Sequence, residues 1–283
     1  MRRRAVEEGF FRALMVLAVA LVVVGLLLIM AIITAKGVGS LSWEMITQAP
    51  QGGYYLGKSG GVLNAILGSL ALAVGATALA SIFAFPVCLY LQQDYAGQSR
   101  LASFVRTSLD LLWGIPSIVY GAFGFTVLLY LGMRASLLGG MIALTLVELP
   151  IMARAMEEAV RMVSQDLKEA SYAMGGTRWE TMRKIVLRQA LPGILTAVLL
   201  AFGRGIGDAA SVLFTAGYTD SLPRTLLDPV ASLPLAVFFQ LGTPFPEVQG
   251  RAHASAFILL VIVLIISVVS RMMGAKVSKY SVR

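Results

Sequence analysis

Six apolar blocks run through the chain, at Leu14–Thr34, Val62–Leu91, Leu109–Leu131, Leu137–Met156, Leu191–Tyr218 and Ala254–Met272. Runs of about 18 or more apolar residues with few charges read as membrane spans. Hydrocarbon offers no partner to a backbone N–H or C=O, so each block must satisfy its own and is expected to be helical. The blocks therefore predict an all-α polytopic membrane protein with six transmembrane helices. Composition points the same way: 58% of the residues are hydrophobic and 13% charged, against roughly 25% charged in soluble domains. Gly75, Pro86, Pro116, Gly121, Pro150 and Gly203 lie inside blocks, where membrane helices tolerate them.

Arg2, Arg3 and Arg4 ahead of the first block imitate a secretion signal, but Leu14–Ala35 is longer than the roughly 7–15 residues of a signal core, so a retained first span is expected. Of the 23 Lys and Arg residues, Arg154 and Arg204 fall within blocks, and only Lys36, Lys58, Arg134, Arg224 and Arg251 fall on one side. The remaining 16 fall on the other, the side of both termini. Positive residues mark the cytoplasmic side, so both termini are expected there. The net charge of +8 is thus a topology signal, and no nucleic-acid motif accompanies it. Cys88, the single cysteine, lies within a block and excludes a disulfide framework; His253, the single histidine, has no clustered ligands and predicts no metal site.

Gly52-Gly53-Tyr54-Tyr55-Leu56-Gly57-Lys58-Ser59 satisfies the G-x-x-x-x-G-K-[ST] phosphate-loop pattern. That loop works between a buried strand and a helix with an acidic magnesium partner. Here it follows Gln48-Ala49-Pro50-Gln51 in an external loop, and nucleotide binding is not expected. The segment from Asp166 to Gln189 differs. A helical stretch ends at Gly175-Gly176, where glycine can take a left-handed C-cap. Thr177 can then cap a second, basic amphipathic stretch over Arg178–Gln189. The result is a helix–turn–helix on the cytoplasmic face, distinct from the fifth span; resting on lipid headgroups is its plain alternative. The loop Thr219–Ala252 carries Pro223, Pro229, Pro234, Pro244 and Pro246, so it cannot be one helix, although Leu233–Leu241 is apolar enough to pack on the bundle or face a partner.

Glu169-Ala170-Ser171-x-x-x-Gly175, followed by Ile185-x-Leu187, resembles the EAA loop of ATP-binding cassette (ABC) importer permeases. Ser171 stands for the second alanine, and Arg188 stands where a proline often follows. Trp113–Gly121, Leu149–Arg154, Leu200–Ala210 and Leu213–Gly217 are similar to the phosphate-specific branch of the PstA type, with Gly207-Asp208-Ala209 where Gly-Glu-Thr is usual. The resemblance implies a type I ABC importer permease fold without catalytic activity. Residues 1–60 would hold the N-terminus, first span and first external loop, residues 61–272 the permease core with a coupling loop at about 164–190, and residues 273–283 a cytoplasmic tail. It also implies a second, homologous permease subunit, two ATP-binding subunits that bind the ATP, and an extracytoplasmic phosphate-binding protein; this chain would need no cofactor of its own and would lie in the cytoplasmic (inner) membrane of a prokaryote. Glu169, Ala170, Ser171, Gly175, Gly176 and Ile185 would couple to the ATPase.

Within the spans, Arg154 and Arg204 require explanation, because a charge near the bilayer centre costs at least about 2.5–3.5 kcal/mol and should face an interior or a water path. A guanidinium suits oxyanions through paired donors. The alternative is local pairing, Arg204 with Asp208 at i,i+4 and Arg154 with Glu157 or Glu158 at i+3 or i+4. Arg204 lies some 13 residues into its block, roughly 20 Å deep if the block is one helix. Glu148 and Asp110 either pair with an arginine or hold a proton when desolvated. Arg204, Arg154, Asp208 and Glu148 form the candidate substrate path, and Gly203-x-x-x-Gly207 reads as a helix-packing pair. An importer of another oxyanion or a phosphonate is the nearest alternative. A self-sufficient secondary transporter or channel predicts inverted repeats, and none is evident.

Overall fold

The computed structural model describes residues 2–51, 60–92, 95 and 99–278; the phosphate-loop pattern at residues 52–59 lies outside the described residues. The described residues fold into helices α1 (Arg2–Gly39), α2 (Trp43–Thr47), α3 (Leu63–Tyr90), α4 (Arg100–Gly114), α5 (Ser117–Tyr130), α6 (Leu137–Arg161), α7 (Gln165–Ala173), α8 (Arg178–Thr181), α9 (Leu187–Ile206), α10 (Leu233–Leu241) and α11 (Pro246–Ser278). The all-α expectation holds. Five helices are long and apolar enough to cross a bilayer, and α4 with α5 adds a sixth, broken span.

Three expectations require correction. The third block is not one helix: α4 and α5 meet at 101°. Pro116 has no N–H to continue α4 and forces Ile115 into extended backbone, at φ −77°, ψ 129°. Tyr120 Oη donates to Leu112 O at 2.7 Å across the elbow. The fifth block also stops early. α9 ends at Ile206 and residues 207–217 form buried turns, because Asp208 Oδ1 accepts from Ser211 N at 2.8 Å and bends the chain away from the helix. Arg204 consequently sits in the last turn of α9 rather than mid-helix. Finally, the second half of the helix–turn–helix is not separate from the fifth span. α8 runs into α9 through a π-turn at Met182–Val186, where Leu187 N bonds Met182 O.

The core is built by α3, α6 and α9. α3 and α6 run parallel, in register through Thr145 Oγ1 to Ala76 O (3.3 Å), Thr77 Oγ1 to Glu148 Oε2 (2.9 Å) and Ser81 Oγ to Met152 Sδ (3.4 Å). α9 runs antiparallel to α6, from Gly193 against Ala159 to Gly205 against Glu148. One apolar cluster joins Ala80, Ala84, Met152, Met156, Val160, Met182, Val186 and Ala201 across these helices. The apolar stretch of α1 is exposed along its length, and α1 closes on α11 where Gly37 meets Phe257 and His253. α10 takes the bundle-packing option open to Leu233–Leu241. Leu233, Leu235 and Ala236 are fully buried, and Leu233 N donates to Ser69 Oγ of α3 at 2.7 Å.

Candidate functional site

The candidate residues fall into three groups along the bundle. In the first, Arg204 Nη2 lies 3.3 Å from Asp208 Oδ2, the expected pair. The two are unlike in environment: the Arg204 side chain is 48% exposed and that of Asp208 is 2% exposed. Asp208 is fixed by Ser211, whose N and Oγ reach Oδ1 at 2.8 and 2.9 Å. The carboxylate is therefore held by the turn, while the guanidinium is free to move. The helix C-terminus favours a cation there. Glu148 stands on the adjacent face, fully buried, with Oε2 bonded to Thr77 and Oε1 without a hydrogen-bond partner. A side chain at residue 205 would run into Glu148 Oε1, so the carboxyl occupies the space that Gly205 leaves.

This corrects the glycine reading. The close-packing glycine inside the chain is Gly205; a Cβ at Gly203 would meet nothing within 4 Å, and at Gly207 only the helix's own Arg204 and Gly203 carbonyls at 3.9 Å. The outward stripe Leu200, Arg204 and Gly207 is exposed.

The second group holds Arg154. Its Nε and Nη2 both donate to the Asp110 carboxylate, Nε at 2.8 Å, and Nη1 donates to Glu157 Oε2 at 2.8 Å. Arg106 Nε donates to Glu157 Oε1 at 2.7 Å and Arg106 Nη2 to Leu91 O at 2.5 Å. Two arginines and two acids thus form one network clamping α4 and the end of α3 to α6. Of the alternatives for Arg154, the i+3 partner Glu157 is realised, joined by Asp110. The donor fork of Arg154 is occupied on both sides.

The third group is the α7–α8 segment, which the sequence reading takes as the coupling loop. Gly175 closes α7 at φ +84°, a left-handed conformation that favours glycine, with Gly175 N on Tyr172 O and Gly176 N on Ser171 O at 2.9 and 3.0 Å. Thr177 and Glu180 complete a capping box. Ser171 Oγ meets Thr181 Oγ1 at 2.7 Å, so the serine in the alanine position ties the two helices together. Glu169 and Ala170 are exposed, and Ile185 is half-buried. Met182 and Val186, not singled out from the sequence, are buried in the same apolar cluster as Met156 and Val160. Thr77, Gly205, Ser211 and Thr181 also escaped sequence reasoning. Each is an ordinary residue whose role comes from a neighbour distant in the chain or across a turn.

On the opposite end, Asp228 Oδ2 accepts from Arg224 N and Thr225 N, both at 2.8 Å. These backbone donors hold its carboxyl below the usual carboxylate range. Asp228 O and Leu226 O in turn accept from Leu137 N and Leu138 N, each at 2.8 Å, capping α6.

A helical bundle with one broken span, a buried polar turn and a helix–turn–helix between two spans has the form of a multi-span membrane transport subunit. Residues 95–279 match the family described as binding-protein-dependent transport system inner membrane component, and the chain belongs to that family: it is a permease subunit of an ABC importer, embedded in the membrane. It is 33% identical to the phosphate transport system permease protein PstA of Yersinia pestis, over 94% of this chain and 90% of that one. It is 30% identical to the probable ABC transporter permease protein YqgI of Bacillus subtilis, over 92% of each. Among solved structures it resembles an inward-facing MetNI methionine ABC transporter, with TM-score 0.60 at 21% identity over 78% of this chain and 96% of that one. It also resembles a bacterial alginate ABC transporter bound to its periplasmic protein, with TM-score 0.62 at 15% identity over 98% and 97%. The methionine and alginate transporters support the fold; their solutes belong to them.

Proposed function

We propose that this subunit imports inorganic phosphate by alternating access, driven by separate ATPase subunits. The observation that carries the reading is the 33% identity to a phosphate transport permease across 94% of the chain. Arg204 is consistent with it. Its fork is half-exposed and engages a turn-held carboxylate through one contact at 3.3 Å, so a passing oxyanion can compete for its donors. Arg204, Asp208 and Glu148 belong to the substrate path in this reading. Arg154 acts there through the helices its network clamps.

The working assembly is this chain, a second and homologous permease, two ATP-binding subunits and an extracytoplasmic phosphate-binding protein. Both termini and the α7–α8 segment face the cytoplasm, and Thr219–Ala252 faces the binding protein. Glu169, Ala170, Ser171, Gly175, Gly176 and Ile185 form the coupling surface. Residues 61–272 form the permease core, preceded by the first span and followed by a short tail. This chain catalyses no covalent step and uses no cofactor; ATP is bound by the partners. Uptake by the reconstituted complex, comparing phosphate with sulfate and phosphonates, tests the reading. ATP-dependent accumulation of sulfate or a phosphonate in preference to phosphate would reassign the solute.

A further inference from the structure

Glu148 is fully buried, at 0% exposure, yet it has one hydrogen bond, with Thr77 Oγ1 at 2.9 Å from Oε2, and its Oε1 has none. An ionised carboxylate offers about four acceptor sites, and burying one without a cation is strongly unfavourable. A neutral acid needs much less, and a single threonine hydroxyl serves it.

The groups facing Glu148 supply no compensating charge. α3 brings Thr77. α9 brings Gly205, which has no side chain, and α6 itself brings Leu144. Arg204 is the next residue along α9, but successive helical residues point about 100° apart, and its guanidinium is engaged by Asp208. Asp208 is itself an acid close enough to repel a charge on Glu148.

We propose that Glu148 is a proton-binding site, carrying one proton in this conformation and releasing it when α9 withdraws from α6 and opens Oε1 to water. Proton binding is then linked to the conformational equilibrium, and lower pH favours the conformation described here. The device also leaves Arg204 and Asp208 as the charged pair at the end of α9, so an arriving anion meets the arginine without repulsion from a second carboxylate. The inference does not rest on phosphate being the solute.

The test is infrared difference spectroscopy at neutral pH on the detergent-solubilised complex purified through a tag on this chain. Wild type is compared with Glu148→Gln and Glu148→Asp. The expected result is a protonated-carboxyl C=O band in wild type that disappears in the glutamine variant and shifts in the aspartate variant. The two variants assign the band independently, so poor assembly of one leaves the other to decide. Spin labels on α6 and α9 supply a second readout. Conformer populations should shift with pH in wild type and lose at least most of that shift in Glu148→Gln. A spectrum in which neither variant alters any protonated-carboxyl band overturns the proposal, whatever the complex transports.

Discussion

Gly205→Ala probes the tightest approach in the core. The new methyl would overlap Glu148 Oε1 and lie 3.0 Å from the Glu148 carboxyl carbon, with Leu144 Cδ2 at 3.5 Å behind it. Two responses are open. Glu148 can swing away and lose its bond to Thr77, worth about 0.5–1.5 kcal/mol net, or α9 can separate from α6 at an overpacking cost of about 1–3 kcal/mol. Alanine in a helix interior returns about 0.5–1 kcal/mol relative to glycine, so the net loss should be at most about 1 kcal/mol by the first route and about 2.5 kcal/mol by the second. Thermal unfolding of the purified complex measures it. Gly203→Ala, with nothing within 4 Å of its Cβ position, is the comparison and should be neutral or slightly stabilising to this chain. Moving Gly205→Ala into a Glu148→Ala background should erase the penalty, giving a coupling of about 1 kcal/mol or more between residues in contact. A penalty of the same size in both backgrounds would refute the argument, because it would place the clash somewhere other than Glu148.

Arg204→Lys should cut uptake at least about tenfold if the paired fork meets the anion, and Arg204→Ala with Asp208→Ala should not be rescued relative to Arg204→Ala; normal uptake in the double variant would confine Arg204 to its ion pair. Glu157→Ala leaves Arg106 and Arg154 short of a partner and should destabilise the chain by about 3 kcal/mol, the low end for breaking a buried pair because the site is partly wet, read as a lowered unfolding temperature. Valine at both Gly175 and Gly176 puts a β-branched residue at φ +84° and a Cβ 2.8 Å from Ser171 Oγ. Left-handed backbone alone costs about 1–2 kcal/mol, and the chain should still insert while uptake fails. With Cys88 removed, a cysteine at position 281 should resist an impermeant external thiol reagent in intact cells, and rapid labelling would reverse the assigned orientation.

How far the sequence foretold the fold depended on whether local chemistry was decisive. Long apolar blocks foretold α1, α3, α6 and α11, and Gly175 announced its turn because a left-handed residue is a local demand. The breaks were harder. Pro86, Pro150 and Pro192 all sit inside continuous helices, whereas Pro116 ends one. What differs at Pro116 is tertiary: Tyr120 reaches back to Leu112 O, and Gly121 lies against the carbonyls of Ala210 and Ser211. Hydropathy likewise could not separate α9 from the turns after it, since a buried turn is as apolar as a helix. Its end was encoded in Asp208 and Ser211, a cap that looked like half of an ion pair. Gly203 and Gly207 matched a packing pattern, but the burial of Glu148 on another helix selected Gly205 between them.

α6 is the element that meets all three groups of candidate residues. Its 25 residues span about 37 Å at 1.5 Å per residue. Near its C-terminal end, Met156 and Val160 share an apolar cluster with Met182 and Val186. At its middle it carries Glu148 against Gly205. At its start, Leu137 N and Leu138 N are bonded by loop carbonyls, and Ser136 N bonds Thr215 O at 2.8 Å in the turn that follows Asp208. The non-helical backbone at the end of α9 is therefore hung on α6 and α5 rather than on α9 alone, which satisfies polar groups that lipid could not. α6 thus runs from the apolar cluster that holds Met182 and Val186 to the turn that follows Asp208. The weak point of that helix is Pro150, which forgoes the bond to the Leu146 carbonyl. Braces flank it: Thr77 holds Glu148 on one side, and on the other Ser81 meets Met152 while Asp110 and Glu157 hold Arg154. The charge network around Arg154 thus fixes α4 and the end of α3 to α6, with each of the three guanidinium nitrogens hydrogen-bonded, and this gives the arginine a structural reason to lie in a span.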